Sequence, residues 1–189
     1  RELRAVIAAG IALGQTPRIA LRINPDFAVK GVKIKMGGMT QFGVDPETVP
    51  EMLTMLTAAG LTCEGFHIFC GSQNLHADLA VTVVKDSLAL LYRLSAQLPA
   101  PPRSLVLGGG FGIPYFPGDE PLDIAAVGKG LQPLLTEAKA HFPEAVIGME
   151  LGRYLVGEAG VYVARVIDTK TVREKTFVVT DGGLHHHLP

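Results

Sequence analysis

Four short stretches of this chain combine charged or hydroxyl side chains with glycine, and each closes an apolar run. They are Arg22-Ile23-Asn24-Pro25, the segment from His67 to Gln73 (HIFCGSQ), Gly108-Gly109-Gly110-Phe111-Gly112, and Glu150-Leu151-Gly152-Arg153. An arginine inside an apolar strand is seldom buried without a partner, so Arg22 either faces a polar ligand or belongs to a structural ion pair. Gly71-Ser72 offers a backbone N–H and a hydroxyl to an anion, although a plain turn is the default reading. The glycines between Gly108 and Gly112 let the backbone come close to a ligand at an entropic cost; the competing reading is a flexible loop. Neither Lys-Ser nor Lys-Thr follows Gly112, so this is not a Walker-type phosphate loop. Glu150 ends the run VIGME, and Gly152-Arg153 beside it adds an N–H and a guanidinium fork of the kind that holds phosphate.

The elements that must position these groups follow from the apolar runs themselves. Ile19–Ile23 (IALRI), Gly65–Phe69 (GFHIF), Ser104–Leu107 (SLVL) and Val146–Glu150 (VIGME) read as strands, spaced roughly 40 residues apart with helical patterns between them. The first helix spans Glu2–Leu13 and stops at Gly14. A second runs from about Pro46 to Ala59, with Asp45 as N-cap and Gly60 as its end, or starts at Thr48 because of Pro50. Two more cover about Ala77–Gln97 and Asp123–His141. Short, nearly continuous apolar strands alternating with helices predict a parallel sheet buried on both faces, in an α/β fold. Functional groups of α/β barrels sit at the C-terminal ends of the strands, which is where all four stretches fall. After Glu150 the pattern changes: Ala159–Asp168 and Thr176–Thr180, separated by the polar Lys170–Lys175, read as a β-hairpin.

Bulk composition excludes several function classes. The 189 residues are 48% hydrophobic, with 17 basic against 18 acidic side chains and a net charge of −1, so no bulk electrostatic attraction draws the chain to nucleic acid or membrane. No apolar run approaches the roughly 20 residues of a membrane helix. The two cysteines, Cys63 and Cys70, have no metal-ligand spacing and read as buried thiols in a reducing cytoplasm. His185–His187 are taken as native rather than as tag remnants, and no metal site is assigned. Two adjacent phosphate-type strand ends with a carboxylate between them describe a ligand with an anion at one end and a cation at the other. Pyridoxal phosphate (PLP) has that form.

In this order and at this spacing, Arg22–Pro25, Gly71-Ser72-Gln73, Gly108–Gly112, Glu150–Arg153 and Asp181-Gly182-Gly183 resemble the type III PLP-dependent decarboxylases, the diaminopimelate, ornithine and arginine group. The resemblance implies residues 1–157 as the C-terminal half of a PLP-binding (β/α)8 TIM-type barrel, about four βα units. Residues 158–189 would begin a β-rich C-terminal domain. It implies Glu150 on the pyridine nitrogen as the catalytic carboxylate. Ser72, Gly109, Gly110, Gly152 and Arg153 would be at the cofactor, chiefly around its phosphate, Arg22 would line the ring side, and Phe69 would stack on the ring. It also implies a small amino-acid substrate and a homodimer.

Departures from the family pattern are specific. Phe69 stands where the family has a histidine on the cofactor ring; an aromatic ring still stacks there but cannot hydrogen-bond. Leu151 replaces the proline of E-P-G-R. The run GFHIFCGSQNL together with DGGLHHHL resembles a subgroup associated with exosortase and exopolysaccharide loci, and decarboxylases of carrier-bound or peptide-like amino acids. The family's covalent lysine and its partner-subunit cysteine motif are not found in this stretch. Lys30, Lys33 and Lys35 lie in a polar, glycine-rich segment and are expected to face solvent. The chain is therefore expected to be truncated and inactive alone. A PLP-dependent racemase and a non-catalytic regulatory homologue are the competing readings; Glu150 argues against the racemase, whose ring nitrogen meets an arginine.

Overall fold

The computed structural model describes residues 1–27, 41–186 and the backbone of 34–35. Lys30, Lys33 and His187 lie outside the described residues, as does the side chain of Lys35. The chain divides into two compact units, Arg1–Tyr154 and Leu155–Pro189.

In the first unit, helix α1 (Glu2–Leu13) precedes strand β1 (Ile19–Ile23), and a two-residue strand β2 (Ile34–Lys35) follows. A 3₁₀ turn, Pro46–Thr48, leads into α2 (Val49–Ala58), then β3 (Cys63–Ile68), β4 (Gly71–Ser72) and α3 (Ala77–Ser95). The unit continues with β5 (Ser104–Gly108), α4 (Ile124–His141) and β6 (Val146–Glu150), and the short helix α5 (Gly152–Val156) runs across the division between the units. Gly14 ends α1 at φ 61° with its N–H on the carbonyls of the last turn, as its position after the apolar stripe predicts. Asp123 caps α4 by accepting from the Ala126 N–H at 2.9 Å. Asp45 departs from expectation: it makes no cap bond, and its carboxylate instead accepts from Asn24 Nδ2 at 3.2 Å, tying the turn to the end of β1.

The four long strands form one parallel sheet in the order β1-β3-β5-β6, so consecutive long strands are neighbours and a helix occupies each connection. That unbroken order is the arrangement of a (β/α)8 barrel wall; a doubly wound sheet reverses its order at a switch point. Register aligns Ile23 with Ile68, Ile68 with Leu107 and Leu107 with Met149, while Arg22, His67, Val106 and Gly148 form the next row. Because alternate residues of a strand face opposite sides, these rows belong to different faces. One face carries Ile23, Phe66, Ile68, Leu105 and Leu107, all buried, packed in one core with Val84, Leu88, Leu91 and Leu94 of α3. The other face carries Arg22, His67, Gly108 and Glu150.

Phe66 is 0% exposed at the centre of that core. Phe66→Ala is expected to lower stability by about 3–5 kcal/mol, from lost transfer energy plus the cavity left behind. Urea denaturation monitored by circular dichroism checks it, and a loss below about 1 kcal/mol would contradict the packing described.

In the second unit, β7 (Val166–Val172) and β8 (Lys175–Thr180) pair antiparallel. This corrects the sequence reading in detail. The polar segment Lys170–Val172 belongs to β7, residues 159–165 lie outside it, and the turn is the pair Arg173-Glu174. Arg173 adopts φ 55°, a left-handed conformation that permits the tight reversal. Among the described residues, no helix is long and apolar enough to cross a membrane.

Candidate cofactor site

The C-terminal ends of β1, β3, β5 and β6 gather the residues singled out by sequence. Arg22, one residue before the end of β1, is half-buried, with its guanidinium carbon 4.9 Å from the Phe42 ring centroid and 5.8 Å from that of Phe69. Those distances are cation–π contacts. Phe69, just past β3, lies across Gly108: a Cβ there would fall 2.3 Å from the ring edge. Gly108 therefore makes room for the ring that the sequence places where a histidine was expected.

Glu150 closes β6, and its Oε2 lies 3.1 Å from His67 Nε2. The sequence reading left His67 without a role. The signal was present, since residues 67 and 69 share a strand face and that face also carries Arg22 and Glu150.

Gly109 and Gly110 are held by protein rather than standing as an open loop. The Gly109 N–H donates to the Glu150 carbonyl at 3.2 Å, and a Cβ at Gly109 would fall 2.5 Å from Leu151 Cδ2. Gly110 adopts φ 59°, and a Cβ there would fall 2.1 Å from the Gly71 carbonyl oxygen. Its own carbonyl accepts from the Asn74 N–H at 3.0 Å. The loop after β5 is thus clamped against the loop after β3, beside the half-buried Ser72.

Gln73 is the second residue that sequence reasoning missed. It is 5% exposed and holds φ 60°. Its Nε2 donates to the Ile113 carbonyl, and its Oε1 accepts from Arg153 Nη1 at 3.1 Å. One amide therefore joins the loops after β3 and β5 to the arginine that follows β6. Arg153 also lies over the Tyr115 ring, 5.6 Å from its centroid. Gly152, which opens α5, has open space where a Cβ would stand.

Both cysteines are free and buried. Burial pushes the Cys70 thiol up to about 11, against a smaller lowering from its contact with Ser87, so it is unreactive near neutral pH. Among the described residues, no group of three or more His, Cys, Asp or Glu side chains is placed to hold a metal ion.

A carboxylate, an aromatic ring, two arginines and clamped glycine loops at the C-terminal edge of one parallel sheet define a barrel-type α/β domain with its polar groups gathered at the strand ends. Comparison with known proteins gives that class its family. The family described as pyridoxal-dependent decarboxylase, pyridoxal binding domain, matches residues 3–157. L-glutamyl-[BtrI acyl-carrier protein] decarboxylase of Niallia circulans is 35% identical over 176 residues, covering 92% of this chain and 41% of that protein. Diaminopimelate decarboxylase of Thermoplasma acidophilum is 32% identical over 173 residues, covering 90% of this chain and 41% of that protein. The crystal structure of diaminopimelate decarboxylase from Helicobacter pylori complexed with L-lysine superposes with a TM-score of 0.71 at 26% identity, covering 97% of this chain and 45% of that one. The chain belongs to the pyridoxal-binding domain family of pyridoxal-dependent decarboxylases, and its cofactor is pyridoxal phosphate. It spans less than half the length of these relatives.

Proposed function

We propose that this chain supplies the phosphate-binding and ring-nitrogen-binding part of the active site of a PLP-dependent amino-acid decarboxylase. The observation that carries the reading is the convergence of Glu150, Phe69, Ser72 and Arg153 at one edge of one sheet. The residues fit the cofactor. Glu150 offers an anion to the ring nitrogen, Phe69 offers a flat apolar face to the ring, and Arg22 lines the ring side. Ser72, Gly110, Gly152 and Arg153 are the groups around the phosphate, with Gly109 beside them at the cofactor, and the open space at Gly152 supports a close approach there. When bound, pyridoxal phosphate supplies the electron sink that decarboxylation needs. The protein's part is to orient that cofactor, keep a negative charge at its nitrogen and anchor its phosphate.

The substrate reading is an amino acid carrying a second polar or cationic group, either free or linked to a carrier. The 35% identity to a carrier-protein glutamyl decarboxylase supports the linked form, and the lysine-bound structure of a 26% identical relative supports the free one. The GFHIFCGSQNL run supports membership of the subgroup tied to exopolysaccharide loci. We place the barrel domain at residues 1–157 and the β-rich domain from 158. Two free, buried thiols support a reducing, cytoplasmic setting, and the family resemblance supports a homodimer.

The test is an absorbance spectrum of the full protein with PLP, before and after borohydride, followed by CO₂ release from amino acids offered free and as carrier thioesters. A band near roughly 420 nm that borohydride fixes to a lysine, with CO₂ released from one substrate class, is the expected result. No band and no adduct would leave a PLP-free homologue with a regulatory role.

A further inference from the structure

Glu150 and His67 are unequal partners. The Glu150 side chain is 51% exposed, whereas that of His67 is 19% exposed, on a central strand between β1 and β5. A half-exposed carboxylate at a strand end has several rotamers and a competing hydration shell, so proximity alone does not aim it. A carboxylate only accepts, so the contact requires the hydrogen on His67 Nε2. That bond occupies Oε2 and leaves Oε1 to accept from elsewhere. Among the described residues, His67 is the hydrogen-bond partner of the Glu150 side chain. The other charged groups at this edge are engaged differently: Arg22, paired in register with His67, lies over two aromatic rings, and Arg153 is held by Gln73. Val106, Gly108 and Gly148, on the strands between and beside the pair, add no charge.

We propose that His67 is a positioning residue: its Nε2–H fixes the Glu150 carboxylate so that the second oxygen faces the cofactor's ring nitrogen. The inference rests on Glu150 serving that nitrogen. The hydrogen bond acts through the carboxylate, so its effect exists only while the carboxylate does.

The experiment uses the full protein loaded with PLP labelled with ¹⁵N in the ring, and reads both the ring-nitrogen NMR shift and the cofactor dissociation constant. His67→Phe keeps an aromatic ring and removes the donor. It is expected to weaken cofactor binding roughly fivefold to tenfold and to move the ring-nitrogen signal toward its unprotonated value. His67→Gln, whose amide nitrogen can reproduce the donor, is expected to restore both. In a Glu150→Gln background, His67→Phe should change neither. Phe and Gln variants impaired alike, or a full His67→Phe effect persisting without the carboxylate, would overturn the inference and leave His67 a packing residue. Failure of the underlying assignment looks different: Glu150→Gln alone would then leave the ring-nitrogen signal unmoved.

Discussion

Glu150→Gln is expected to lower the rate of CO₂ release by about 10²- to 10³-fold while leaving the cofactor bound, the range set by removing one preorganised charge or donor from a reacting centre. The substitution keeps the volume of the side chain while removing its negative charge and replacing one acceptor oxygen with an NH₂ donor. A protonated pyridine nitrogen is a cation, and an adjacent anion raises the pH at which it loses its proton. A neutral amide gives no such help. The groups we propose for the phosphate, around Ser72, Gly110 and Arg153, are left untouched, so at saturating PLP the cofactor stays bound, with an affinity loss no smaller than that expected of His67→Phe. The loss should therefore fall on kcat, with bound PLP measured in parallel by absorbance after denaturation. Activity within about threefold of the parent would remove Glu150 from the ring nitrogen and reopen the assignment of the whole edge.

Much of the frame that holds Glu150 is legible in the sequence, for a physical reason. IALRI and VIGME stand out as apolar runs and coincide with β1 and β6 residue for residue, although the expected burial on both faces is not met: β1 alternates buried with exposed or half-buried residues, and β6 has no buried residue. GFHIF locates β3 but misplaces its ends, because Cys63, paired with Ile19, and Glu64, where the register shifts, extend the strand without looking like one. The hairpin was found and its turn was misplaced. In this exposed ribbon apolar residues fall on both faces, as in the run Phe177, Val178 and Val179, so alternation carries no register, and the reversal at Arg173 has neither Gly nor Asn to mark it. The site divides the same way. Arg22, Ser72 and Glu150 are candidates by the rule that barrel chemistry sits at strand ends, and Phe69 by the family resemblance; the structure places all four near one sheet edge. His67 needed the further step of reading which residues share their face. Gln73 stands in the motif, but its role was not legible, because it depends on a left-handed backbone and on partners 40 and 80 residues away.

The glycine run after β5 shows how fold and site become one question, and Gly110→Ala is the prediction that addresses it. Sequence alone leaves open whether these glycines admit a ligand or merely loosen a loop. The structure adds a third requirement, since an alanine Cβ at Gly110 would sit 2.1 Å from the carbonyl oxygen of Gly71, a distance no real Cβ tolerates. The backbone at φ 59° adds about 1–2 kcal/mol for any residue with a Cβ. Relief requires the two loops to part, which breaks the bond from the Asn74 N–H to the Gly110 carbonyl and displaces Ser72 beside it. The expected result is a stability loss of about 3 kcal/mol or more, combining the strained backbone with overpacking of a closed contact. PLP binding should weaken at least tenfold, by roughly 1.4 kcal/mol, because the two phosphate-side loops no longer meet. Urea denaturation of the apo protein and PLP titration of the folded fraction measure the two effects separately. Weakened PLP binding with unchanged stability would mean that the loops part freely and that Gly110 serves the cofactor alone. Loss of stability with intact PLP binding in the folded fraction would mean that the clamp serves only the fold, and would take Gly110 out of the phosphate site.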